Sequence, residues 1–196
     1  TVIKNLSFQA EYGQIDTDAK YFDDEPEAFI ANSYIVFDNF NLLVLYRNYD
    51  LDYDNPYQRS FAQYQKFKSA ILEDDYKLND LVFYNLYQGN AQPQAEEGIF
   101  VSSRYQFHRA LTGTLEWDSW VRKADKAQYY RIVGKLDWRP VFKYRINFRY
   151  KWQERAPFNI EHPSPYYLKE ARVTFTLNLS NYNNIELLYA WSYNKF

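Results

Sequence analysis

The residues able to do chemistry are few and scattered. The two histidines, His108 and His162, fall on separate expected connections. Neither has a second ligand at helical or strand spacing, so no zinc pair is expected. His162 lies close to Ser164, a fragment of a nucleophilic constellation that lacks an identifiable third member. Glu116 and Asp118 are paired carboxylates, but their spacing puts both on one strand face. Glycosidic chemistry needs two carboxyl groups about 5–9.5 Å apart across a cleft. The run Asp50–Leu51–Asp52–Tyr53–Asp54 opens like a calcium loop, yet Asn55 stands where Gly is required and Phe61 where Glu is required. An ordinary solvated acidic turn is the favoured reading. A second acidic stretch, Asp16, Asp18, Asp23, Asp24, Glu25 and Glu27, is either a solubilising loop or a loose cation site. There is no Gly-rich phosphate loop. With no cysteine, disulfides, thiol catalysis and Cys-ligated zinc are excluded. The expectation is a protein that is not an enzyme, with no metal and no cofactor.

The 196 residues suit one domain. Aromatic residues make up 21% and charged residues 24%, an unusual pairing that argues against disorder. Lys+Arg 23 against Asp+Glu 25 leaves a net charge of −2, so nucleic acid is not an expected partner. No apolar run approaches the roughly 18 residues of a membrane helix, a test that membrane-crossing strands would escape. The sequence starts at Thr1 and contains no Met. A mature chain after signal removal would look so, as would an internal piece of a larger protein.

The dominant pattern has period two. In 171–179, Ala171, Val173, Phe175, Leu177 and Leu179 alternate with Arg172, Thr174, Thr176 and Asn178. In 142–152, Phe142, Tyr144, Ile146, Phe148, Tyr150 and Trp152 alternate with Lys143, Arg145, Asn147, Arg149 and Lys151. This is strand geometry. Strands are expected at 3–13, 27–38, 41–49, 97–107, 109–121, 128–139, 142–154, 166–180 and 184–195. Several have the length of tilted strands that cross a bilayer. Short turns alternate with longer loops at 14–26, 50–96, 122–127 and 155–165, as in up-and-down membrane barrels.

Aromatics gather toward strand ends on the apolar faces. Tyr130 and Trp138 bracket Ile132 and Leu136; Tyr150 and Trp152 flank Ile146 with Phe142; Trp117 and Trp120 end one strand; Trp191 lies near the chain end. The expected lipid-facing girdle is Tyr130, Trp138, Tyr150, Trp152 and Trp191. Ordinary sandwich packing is the alternative, since aromatics favour strands anyway. The opposite faces carry Arg104, Glu116, Asp118, Arg131, Lys135, Asp137, Lys143, Arg145, Arg149, Lys151 and Arg172. In a closed sheet these charges would line the lumen. They form either a self-neutralising ladder that fills it or a cationic wall, mostly 142–152, that attracts anions.

The segment 50–96 departs from this pattern. Asn55–Pro56 could start an amphipathic helix over 57–72; short strands near 66–72 and 80–88 are the competing reading. It is expected as a loop or plug inserted into one barrel domain spanning 1–196.

The strands 128–139, 142–154, 166–180 and 184–195, their aromatic ends and the tail Trp191–Ser192–Tyr193–Asn194–Lys195–Phe196 resemble a Gram-negative outer-membrane β-barrel. The Tyr- and Asn-rich style, as in Tyr46–Arg47–Asn48–Tyr49, resembles barrels of the Bacteroidota. The resemblance implies an antiparallel up-and-down transmembrane β-barrel of about 8–12 strands, possible as part of a larger one. It implies a bacterial outer-membrane location and membrane lipid as partner, with other envelope proteins or further barrel strands as additional ones. The expected role is a channel or porin-like transport protein, or the membrane scaffold of an envelope complex. A soluble lipocalin-like ligand barrel and an outer-membrane hydrolase are the alternatives. Nine strands is an odd count where single-chain bacterial barrels have an even one.

Overall fold

The computed structural model describes residues 5–14, 26–50, 53, 95–123, 126–155 and 166–195. These form nine strands and, among the described residues, no helix. The strands are β1 (Leu6–Gln14), β2 (Glu27–Val36), β3 (Phe40–Tyr49), β4 (Glu96–His108), β5 (Leu111–Arg122), β6 (Gln128–Val141), β7 (Tyr144–Arg155), β8 (Tyr166–Asn178) and β9 (Asn184–Lys195). All nine lie in one sheet in chain order, each antiparallel to the next. The period-two pattern produces this meander directly, because every strand keeps its alternation in register with its neighbour.

Connections mostly alternate in length, 123–127 and 179–183 being equal at five residues. Residues 37–39, 109–110, 142–143 and 179–183 make the short turns on one side, hereafter the turn side. The strand ends joined by the remaining connections all lie on the opposite, loop side. Two irregularities adjoin the turns. The β4–β5 register shifts between Gln106 and His108. The β6–β7 register shifts between Trp138 and Val141, where Pro140 has no N–H to give the ladder. Tight turns are secured locally: Phe37 N–H donates to the Phe40 carbonyl at 2.7 Å, and Asn183 N–H donates to Ser180 Oγ at 3.1 Å.

The expected closed barrel is not formed by these strands. The sheet is open, with β1 and β9 as its edges. Because nine is odd, the alternation leaves β1 and β9 running in the same direction, from turn side to loop side. An antiparallel β1–β9 seam is therefore geometrically impossible.

The sheet has inverted burial. Register assigns each side chain to one of two faces, since directly paired residues share a face. All the buried charged residues, including Arg47, Asp118, Lys151 and Glu170, fall on one face. The large apolar strand residues left exposed, such as Phe8, Leu115, Trp117, Trp138 and Leu187, fall on the other. Only Tyr34 and Val36 of β2 break this rule. Acidic and basic positions on the apolar face (Glu27, Glu97, Glu154 and Lys169) are confined, among the described side chains, to the loop-side third of their strands.

Candidate functional site

The charged face divides into two halves. On the loop side, β3, β4, β5 and β6 bring Arg47, Glu96, Asp118 and Arg131 together. Arg47 Nε donates to Glu96 Oε1 at 2.7 Å, and Nη1 donates to Asp118 Oδ1 at 3.0 Å. Asp118 Oδ2 also lies 3.8 Å from Arg131 Nη2. The Arg47 and Asp118 side chains are 0% and 1% exposed. Charges so buried persist only when paired and hydrogen-bonded.

Arg47 reaches Asp118 across β4 because its partner there is Gly98. Gly98 in turn pairs with Trp120. A Cβ at Gly98 would sit 2.5 Å from the Trp120 Cβ, so glycine alone admits the indole. Trp120 then lies under the Arg47 guanidinium at 5.8 Å and stacks on Tyr129 at 5.0 Å and 6°. Arg122 stands over the Tyr129 ring at 5.2 Å. Further along the same face, Lys151 and Glu170 pair at 3.7 Å, both fully buried, beside the fully buried Val133.

Toward the turn side the composition changes. One ladder line across the sheet joins Arg104, Thr114, Lys135, Arg149 and Arg172. Lys135 Nζ donates to Glu116 Oε1 at 2.7 Å. Arg145 makes a two-pronged contact with Asp137, 3.1 Å from Nε to Oδ1 and 2.6 Å from Nη2 to Oδ2. Below the row opens a groove of about 660 Å³ lined by β4 to β9.

The expected lumen charges are thus placed as follows. Arg104, Glu116, Asp118, Arg131, Lys135, Asp137, Arg145, Arg149 and Lys151 share one face. Lys143 does not; the turn at 142–143 takes it off the strand, where it is exposed. Trp120, expected beside Trp117 at an aromatic strand end, faces the charged side because it stands an odd three positions further along the strand. Tyr130, Trp138, Tyr150, Trp152 and Trp191 all lie on the apolar face. Tyr130 meets Trp152 edge-on at 5.4 Å. Tyr150 pairs with Gly134 in mid-strand, away from either end. His108 accepts the Ala110 N–H on Nδ1 at 3.3 Å, a turn contact. Asp50 accepts from Lys123 Nζ at 2.6 Å and from the Glu27 N–H at 3.0 Å, tying two loop-side connections together. Both bonds, Lys123 foremost, hold its carboxyl below the ordinary range. The acidic positions 16–25 and 52–54, the helix or strands expected within 57–88, His162, Ser164 and Phe196 lie outside the described residues.

Sequence reasoning missed Arg47, Glu96 and Glu170. Arg47 follows Leu43 and Leu45 on its face, so β3 alone reads as apolar on both sides. Only its pairing with β4 marks it as part of the charged wall.

Comparison with known protein families, curated proteins and solved structures finds no match.

Proposed function

We propose that this sheet is the wall of an outer-membrane β-barrel, with its apolar face on lipid and its charged face toward an aqueous lumen. It acts as a channel or porin-like protein, or as the membrane scaffold of an envelope complex, without catalysis of its own. The observation that carries this is the inverted burial: Arg47, Asp118, Lys151 and Glu170 are buried while Phe8, Leu115, Trp138 and Leu187 are exposed. In water such a face would be an aggregation hazard; in lipid it is the stable orientation. A lipocalin-like barrel needs the opposite arrangement, apolar side inward. Completing the wall in an antiparallel manner takes an odd number of further strands, or else the seam is parallel.

The test places charge on each face. Leu115 stands in mid-strand on the apolar side and pairs with Gly134. Leu115→Arg should cost about 2–4 kcal/mol of membrane stability, as for Arg near a bilayer midplane. Flotation with lipid vesicles and the boiling-dependent gel shift should both be lost or weakened. Thr112→Lys, on the charged face opposite Asp137, should leave both intact. A wild-type protein that stays soluble and shows no shift would sink the membrane reading, and equal insertion of Leu115→Arg would sink the orientation.

A further inference from the structure

The row Arg104–Thr114–Lys135–Arg149–Arg172 sets cations side by side where a sheet ordinarily alternates charge. Lys135 pairs directly with Arg149, and Arg149 directly with Arg172. Like charges in directly opposed positions repel. The neighbouring carboxylates do not cancel this. Glu116 neutralises Lys135, and Asp137 neutralises Arg145. Arg104 and Arg149 have no ion-pair partner among the described residues. The Nε of Arg149 is buried and makes no hydrogen bond there. The groove beside the row has five cations, Arg145 included, against Asp137 and Glu186; with Glu116 on Lys135 counted as well, the excess is five minus three, or two positive charges. Its volume of about 660 Å³ falls in the range of small-molecule sites.

We propose that this groove is a binding site for a multiply charged oxyanion of the phosphate class, held between the guanidinium groups of Arg149 and Arg172. Planar guanidinium forks match the oxygens of such a ligand in pairs, which ammonium groups do not. The Thr114 hydroxyl, between Arg104 and Lys135 in the row, adds a neutral donor. An anion seated here offsets the repulsion along the row, so binding and relief of strain act together. The site rests on the proposed function only in that the groove must open to water on the turn side.

Inorganic pyrophosphate is the probe, titrated into detergent-solubilised protein at low salt and followed by calorimetry. Saturable binding of one pyrophosphate per chain is expected. The Arg149→Gln/Arg172→Gln variant should bind about tenfold or more weakly, the loss of a charge-assisted hydrogen bond or two. Lys143→Gln removes the same kind of charge from the turn outside the groove and should change the affinity less than about twofold. If the double variant fails to fold, Arg149→Lys alone decides: keeping charge but losing the fork, it should still weaken binding. Absence of saturable binding up to about 1 mM would overturn the site. So would equal weakening by Lys143→Gln, which would mean diffuse charge attraction only. Vesicle flotation of the same samples separates the two failures. Protein that floats but does not bind loses the site and keeps the proposed function; protein that binds but does not float does the reverse.

Discussion

On the loop-side half of the charged face, Arg47 stands between Glu96 and Asp118 with its side chain closed to water. On the turn-side half, Arg149 stands between Lys135 and Arg172. The same residue type thus occupies two opposite electrostatic settings on one sheet. The difference lies in register. Arg47 faces a glycine on β4, which lets it reach a carboxylate one strand further on. Arg149 faces long cationic side chains on both flanks. One arginine therefore holds three strands together, while the other leaves attraction for something from outside.

The largest expected effect is at Arg47. Arg47→Met removes the guanidinium that bridges the buried Glu96 and Asp118 carboxylates, and breaking such a buried pair costs about 3–5 kcal/mol. Denaturant unfolding from detergent micelles measures it. A loss below about 1 kcal/mol would mean the loop-side cluster is no tighter than a surface pair, and the contrast would vanish. Arg149→Gln should behave oppositely: stability is unchanged or raised by up to about 1 kcal/mol, as repulsion between opposed cations is removed. Any gain should shrink with added salt. A substantial loss would show that Arg149 belongs with Arg47 after all.

The smallest effect sharpens the contrast from outside the sheet. Asp50 is depressed in pKa by Lys123 and the Glu27 amide. A depressed carboxyl contributes stability above its ordinary pKa, and that contribution fades as the pH falls through the folded value. The gap between wild type and Asp50→Asn should therefore be present at neutral pH and close below about pH 4. Since the pair is partly exposed, 25% for Lys123 and 44% for Asp50, the gap should stay under about 1 kcal/mol. A thermal melt at each pH reads it. A gap that is constant with pH would assign the effect to the loop backbone instead of the charge.

The strands were legible because alternation over ten or more residues admits one geometry. All nine appear with boundaries near those expected. That Glu116, Asp118, Arg131 and Lys135 share one face was legible too, since alternation fixes the face of each strand residue. What period two cannot reveal is which side chains meet across two strands. The Arg47–Asp118 contact depends on Gly98 being flat between them. The cation row depends on four registers adding up to one line. Nor does alternation alone say which face of a weakly patterned strand belongs to which side: β3 is apolar on both, and Arg47 was hidden there. Trp120 fell to the same cause in reverse, an aromatic grouped with Trp117 by proximity in sequence while the pleat sends it the other way.

The shared direction of β1 and β9 also works as a polarity filter on association. Copies of this sheet whose turn sides point the same way meet with every edge pointing alike. None can extend a neighbour in antiparallel fashion, and the sheet is protected from lateral polymerisation in that mode. A strand descending from loop side to turn side, by contrast, is complementary to both edges at once. Selectivity for what docks along the rim is thus written in the parity of the meander, independent of any side chain.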